Sequence, residues 1–218
     1  VMLVKKKILI ILGVIVIVGA AVGFYLYQNS DSPSVGINDS IVNEDGKEGS
    51  ASTNLDSDKV LVVYFSHGGN TQKLAKEISD QVGGDFRRIE PVNAYPGGDE
   101  LYDYTEQEQA DDARPEIQDL NIDMSKYDTV FIGYPIWWYT YPQVILTFFD
   151  NYDLTGKTIV PFVTHGGSGM SGTEDDMREY LSDKDVTVLD GLAVSRNDIE
   201  EDQSQTVTNW LEELGFIK

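Results

Sequence analysis

The chain has 218 residues, 41% of them hydrophobic, and a formal charge of −21. That supports one domain with a core plus extra segments, and it argues against nucleic acid as a partner, because no basic stripe offsets phosphate repulsion. Cysteine is absent, which excludes thiol catalysis, disulfides and cysteine-held zinc or iron–sulfur clusters. With His67 and His165 as the histidines of the chain, no metal centre is expected.

The N-terminus reads as a membrane anchor. Residues 1–7 are short and basic, ending on Lys5, Lys6 and Lys7. Residues 8–27 are apolar and uncharged, and at about 1.5 Å per residue such a run crosses the hydrocarbon thickness of about 30 Å. The lysines place the N-terminus inside and everything after residue 27 outside the cell membrane, with Tyr25 and Tyr27 at the outer interface. A cleaved signal peptide fits less well, because the run exceeds the usual apolar core and no A-x-A site follows. Residues 28–58, rich in Ser, Asp, Asn, Gly and Glu without apolar period, read as a disordered linker.

From residue 59 to 218 strand-like and helix-like segments alternate, the pattern of an α/β domain with a parallel sheet. Val60–Phe65 is an unbroken β-branched and aromatic run, so it predicts a strand buried on both faces. A helix follows from about Asn70 to Val82, with Leu74, Ala75, Ile78 and Val82 on one face. Phe86–Pro91 predicts a weaker edge strand. In the long acidic stretch from Asn93 to Lys126, Glu100–Asp112 predicts a solvated helix whose charges form a wet surface. Thr129–Tyr134 is the third strand. Pro142 opens a helix carrying Val144, Ile145, Phe148 and Phe149. Thr158–Thr164 is the fourth strand. Thr173 and Asp176 predict a capping-box start for a helix with Met177, Tyr180 and Leu181. Val186–Leu189 is the fifth strand, and Val207, Trp210, Leu211 and Leu214 line a last helix closed by Gly215.

The loops after strands one, three and four carry the chemistry, because in a parallel sheet they meet at one edge, where ligands bind. The first, Ser66-His67-Gly68-Gly69-Asn70-Thr71, is small and polar and opens a helix. Its backbone amides and the helix dipole can hold an anion, with no Lys or Arg to help. An ordinary βα turn with an Asn cap is the alternative reading. The second, Pro135-Ile136-Trp137-Trp138-Tyr139-Thr140-Tyr141-Pro142, can wall a flat ring, with one or two of its aromatics, such as Trp137 and Tyr141, packing into the core instead. The third, Thr164-His165-Gly166-Gly167-Ser168 and onward, is glycine-rich and lets backbone approach a ligand. Together they describe a flat aromatic ligand with a terminal phosphate. Flavin mononucleotide (FMN) fits better than a dinucleotide, whose pyrophosphate fingerprint is missing.

On these three loops the stretch from about Asp58 to Lys218 resembles the flavodoxin family, in its bacterial branch with Tyr-Pro-Ile-Trp-Trp after strand three and Gly-Gly-Ser-Gly after strand four. The resemblance implies a three-layer fold with a five-stranded parallel sheet in order 2-1-3-4-5. It implies that Ser66, His67, Gly68, Gly69, Asn70 and Thr71 hold the FMN phosphate. Pro135, Ile136, Trp137, Trp138 and Tyr139 would border the ring, and Thr164, His165, Gly166, Gly167 and Ser168 would run along its other side. One departure is Tyr139, where relatives often have Gly. Trp138, then Tyr139, is expected to stack on the ring, and nearby carboxylates to disfavour the anionic reduced flavin. The implied function is electron carriage by a membrane-tethered flavoprotein. Its partner would be a protein with a basic docking face or a small-molecule acceptor. The alternative is an FMN-dependent NAD(P)H:quinone-type oxidoreductase with His165 as a proton donor. A flavin-free binding domain is the rival from another class. A receiver domain is set aside because Ser66-His67 and Tyr134-Pro135 stand where it needs carboxylates.

Overall fold

The computed structural model describes residues 54–218, so the anchor expected over 8–27 and most of the linker lie outside the described residues. Among those residues no helix is long and apolar enough to cross a membrane. The elements are β1 (Val60–Tyr64), α1 (Asn70–Val82), β2 (Asp85–Arg88), α2 (Glu100–Ala110), β3 (Thr129–Pro135), α3 (Gln143–Asn151), β4 (Thr158–His165), α4 (Thr173–Tyr180), β5 (Thr187–Val188), β6 (Leu192–Ser195) and α5 (Ser204–Glu213), with short 3-10 turns at Ser57–Lys59 and Met124–Lys126.

All strand pairings are parallel, in the order β2-β1-β3-β4-β5, with β6 also paired to β4. Alternation along the strands divides the core in two. Leu61, Val63, Phe65, Val130, Ile132 and Tyr134 point to one face, under Val144, Ile145, Phe148 and Phe149 of α3 and Met177 of α4. Val60, Val62, Tyr64, Phe131, Val160 and Phe162 point to the other, under Leu74, Ala75 and Ile78 of α1 and Val207 and Leu211 of α5. Helices on both faces require strands apolar at every position, and each large side chain so buried contributes roughly 1.5–3 kcal/mol.

The fifth strand position departs from expectation. Val186–Leu189 shrinks to the two residues of β5, and a second short strand, β6, takes the upper half of the same edge. Pro161 explains the break. The Ile159 carbonyl accepts from the Leu189 amide at 2.9 Å, so Pro161, two residues on, faces the same edge and has no N–H to give it. Opposite stands Gly191, where a side chain would lie 2.9 Å from the Pro161 carbonyl and 2.5 Å from Met170. Backbone groups freed by the break find side-chain partners. The Trp210 indole donates to the Asp190 carbonyl at 3.1 Å, the Gly191 amide donates to Glu174 at 2.6 Å, and Arg178 donates to the Val188 carbonyl at 3.2 Å.

Three smaller corrections follow from tertiary contacts. The α4 start is not a capping box: Gly172 precedes it with φ 81° and no side-chain cap forms. Thr173 is buried; its hydroxyl donates to the Met170 carbonyl at 2.7 Å and accepts from the Tyr134 phenol at 3.0 Å. The predicted edge strand at Phe86–Pro91 forms one residue earlier and ends at Arg88. At the start of the domain, Asn54 bonds to the Phe216 carbonyl at 2.6 Å and the Gly215 carbonyl at 2.9 Å, so residues that read as linker by composition are pinned to the C-terminal end.

Gly133 in β3 faces Phe162 of β4, and a methyl group there would lie 2.2 Å from two ring carbons. Both residues sit in the closed interior. Gly133→Ala is therefore expected to lower the unfolding free energy by about 1–3 kcal/mol, read as a lower urea midpoint, and Phe162→Leu in the same chain should recover part of the loss.

Candidate functional site

Because β1, β3, β4 and β6 run in one direction, the loops after them meet at one edge. There they line a cavity of about 660 Å³. Each residue predicted for the site lines it except Gly69. Gly69 instead caps α1 from a left-handed φ of 93°, a conformation suited to glycine. No side chain caps α1, so Asn70 is its first residue and not its cap, contrary to the alternative of an Asn-capped turn. The first amides of a helix have no carbonyl one turn earlier, and here they open toward the cavity beside Asn70 and Thr71. Ser66 shapes the turn by accepting from the Gly69 amide at 3.1 Å, and Arg88 holds the Ser66 carbonyl at 2.9 Å. Thr71 and Thr164, both buried, join the first and third loops through their hydroxyls at 2.8 Å.

The aromatic loop is a tight hairpin. Trp137 and Thr140 exchange both backbone bonds at 2.9 Å, and the residues between them, Trp138 and Tyr139, take φ of 49° and 65°. Two left-handed residues in a two-residue turn is the geometry that glycine and asparagine favour. Tyr139 sits there 78% exposed, at the tip. Trp138, 39% exposed, is held by its indole N–H on the Thr105 hydroxyl at 3.0 Å and edge-on to Tyr102 at 6.4 Å. Trp137 is half-buried, edge-on to Phe65 at 5.4 Å and Tyr95 at 5.3 Å, and still reaches the cavity. Tyr141 belongs to the core against Tyr134 and Phe149. In the third loop, His165 Nδ1 accepts from the Gly167 amide at 2.9 Å, which leaves Nε2 as the protonated nitrogen of the neutral ring.

Four lining residues escaped the sequence reading: Leu101, Tyr102, Thr105 and Arg196. The first three belong to α2, whose four acidic residues dominate its composition, and the one signal there, Leu101, Thr105 and Glu108 recurring at helical spacing, is mostly polar and so does not read as a buried face. Arg196 follows β6, a strand the hydropathy pattern did not separate. Among the described residues the lining itself contains no Asp or Glu, so any carboxylate that acts on a ligand there acts from outside the lining.

One acidic residue of α2 is not part of a wet surface. Glu108 is buried and accepts from the Tyr95 phenol at 2.7 Å. Burial pushes its carboxyl above the ordinary range, opposed by the Tyr95 bond, and burial aided by that bond pushes the Tyr95 phenol up as well. A raised folded-state value favours the protonated acid. Its contribution to stability is complete below the ordinary value near 4.5 and is lost as pH rises through the raised one. Glu108→Gln removes that loss, so denaturation should show the variant gaining on the parent chain as pH rises above about 4.5. Tyr139→Gly relieves a left-handed side chain at the cost of unfolded-state entropy, and should raise the unfolding free energy by roughly 0.5–1 kcal/mol.

Comparisons with known proteins agree with this architecture. A family model described as Flavodoxin matches residues 59–214. Among solved structures, a candidate flavoprotein from Bacteroides eggerthii is 32% identical, covering 72% of this chain and 98% of its own, with a TM-score of 0.64. A second from Bacteroides uniformis is 30% identical over 72% of this chain and 99% of its own, with a TM-score of 0.63. A Lactobacillus acidophilus flavoprotein solved in complex with FMN shares the fold at 24% identity, covering 66% and 97%, with a TM-score of 0.54. No curated protein matches. With its parallel sheet in the order 2-1-3-4-5 and its loops converging on one crevice, the chain belongs to the flavodoxin family.

Proposed function

We propose that the crevice holds FMN without a covalent bond and that the protein carries electrons through it. The observation that carries this reading is the convergence of an uncapped helix start, an aromatic hairpin and a glycine loop on one carboxylate-free cavity. Its volume, about 660 Å³, lies within the range of roughly 300–1,000 Å³ typical of small-molecule sites. The FMN held by the Lactobacillus acidophilus relative supports the choice of ligand.

In this reading the amides around His67, Gly68, Asn70 and Thr71 hold the phosphate as hydrogen-bond donors. Trp138, steadied by Thr105, and Tyr139 wall the ring and exclude water, with Trp137 behind them. The backbone of Gly166, Gly167 and Ser168 hydrogen-bonds its polar edge. Bound FMN would supply the redox chemistry, and the protein its orientation and electrostatics. A lining without carboxylates leaves negative charge on that ligand less opposed than the acidic composition suggests.

The alternative, an FMN-dependent NAD(P)H:quinone-type oxidoreductase, is favoured by one observation. His165 lines the cavity with its Nε2–H free to donate a hydrogen bond, placed to polarise the oxygen of an acceptor. The acidic residues Glu100, Asp103 and Glu106 on α2, beside exposed Tyr102 and Tyr104, suit a partner protein with a basic docking face. We place the domain outside the cell membrane, tethered by residues 8–27; protease digestion of intact cells should remove it.

The purified chain should turn yellow with FMN and bind it near one to one; absence of flavin absorbance would end this reading. Thr71 is buried against Thr164, so the cradle is better tested at Asn70. Asn70→Asp adds a charge at a helix start that tolerates it, and should weaken FMN by about tenfold or more while leaving riboflavin within about twofold. Equal losses would place the phosphate elsewhere. Under anaerobic titration, two separated one-electron steps indicate a carrier, and direct oxidation of NAD(P)H with a quinone indicates the enzyme.

A further inference from the structure

The first loop contains no Lys or Arg, so the cradle by itself offers a phosphate dianion only neutral donors. A cation reaches the same cavity from another direction. Arg196 lines it, and its guanidinium carbon lies 3.4 Å from the position a side chain at Gly166 would occupy. Two restraints set it there. Its amide donates to the His165 carbonyl at 2.8 Å, continuing the β6–β4 register that pairs Ser195 with His165. The loop it begins is tied to the first turn of α1 by an ion pair between Lys73 and Glu200. Arg196 therefore lies against the third loop and lines the cavity that the α1 start also lines, and the Thr71–Thr164 hydroxyl pair joins those two elements.

Its charge is also uncommitted. The chain has 37 acidic residues, and the other cations close to the cradle are engaged: Lys73 with Glu200, and Arg88 with Glu90 at 3.5 Å and the Ser66 carbonyl. Among the described residues no carboxylate pairs with the Arg196 guanidinium within salt-bridge distance, and the cavity lining offers it none. A guanidinium left unpaired in so acidic a protein, lining the same cavity as a set of amides suited to an anion, matches phosphate geometry through its planar donor fork.

We propose that Arg196 is the counter-charge of the FMN phosphate, supplied from the loop after β6 and not from the cradle. The proposal rests on the FMN reading above. Gly166 lies directly against it: a Cβ there would meet the guanidinium carbon at 3.4 Å, an ordinary van der Waals contact.

The test compares FMN and riboflavin binding by fluorescence quenching for the full chain, Arg196→Met and Arg196→Lys. Arg196 is exposed, so neither substitution threatens the core. Arg196→Met should weaken FMN by about tenfold to a hundredfold, the range for one charge-assisted hydrogen bond, with riboflavin unchanged within about twofold, and Arg196→Lys should recover part of the loss. Unchanged FMN affinity in Arg196→Met overturns the proposal. Equal weakening of both ligands also overturns it, because the arginine then serves the ring or ribityl chain. Failure of the unsubstituted chain to bind FMN would instead remove the reading on which the proposal stands.

Discussion

The structure depends on β1 lying inside a parallel sheet, between β2 and β3, with both faces covered. Val60, Val62 and Tyr64 fill one half of the core and Leu61, Val63 and Phe65 the other. Such a strand must end where its apolar run ends, at Phe65, and the chain must then turn at once into a covering helix. The polar glycine loop is thus delivered to the sheet edge by the hydrophobic effect acting on the residues before it. β3 and β4 obey the same constraint, so three loops unrelated in sequence position arrive at one place. Binding geometry here is a consequence of strand direction, and the loop residues need only supply donors, walls and space.

The break at Pro161 is the second decisive feature. It costs ladder hydrogen bonds, and the Trp210, Glu174 and Arg178 side chains offset that cost by taking up the freed backbone groups. With β6 restarting on the same edge of β4, Ser195 comes alongside His165, and the residue after it enters the cavity. A defect in the sheet so becomes the means by which the only arginine among the described lining residues reaches the cavity.

Charge is distributed unevenly in this molecule. The net charge of −21 describes its surface, while the crevice holds amides, hydroxyls, aromatics, two imidazoles and one guanidinium. Exposed ion pairs such as Lys59–Asp128 are each worth only about 0–1 kcal/mol, so the acidic surface contributes little to the fold. Such a surface repels anions and attracts basic groups in general, whereas the crevice sets a helix start, backbone donors and Arg196 against it.

Much of the site was legible in the residues alone. Runs such as Val60–Phe65 and Thr129–Tyr134 can be satisfied only by two-sided burial, and the glycine and aromatic loops directly follow such runs. Local chemistry therefore determined the fold class, the edge and most of the lining. What it could not determine were features whose cause lies in a distant residue. The fifth strand breaks because of Pro161 in its neighbour. Thr173 serves Tyr134 and not a helix cap. Glu108 turns inward because Tyr95 offers a phenol, and α2 reaches the cavity because Trp138 bonds to Thr105. Arg196 is one exposed arginine in the sequence, and only the register of β6 on β4 brings it beside Gly166. Strand burial is written in consecutive residues, where hydrophobicity can be read directly. Partnership between groups far apart in the chain exists only once the sheet has set their distance.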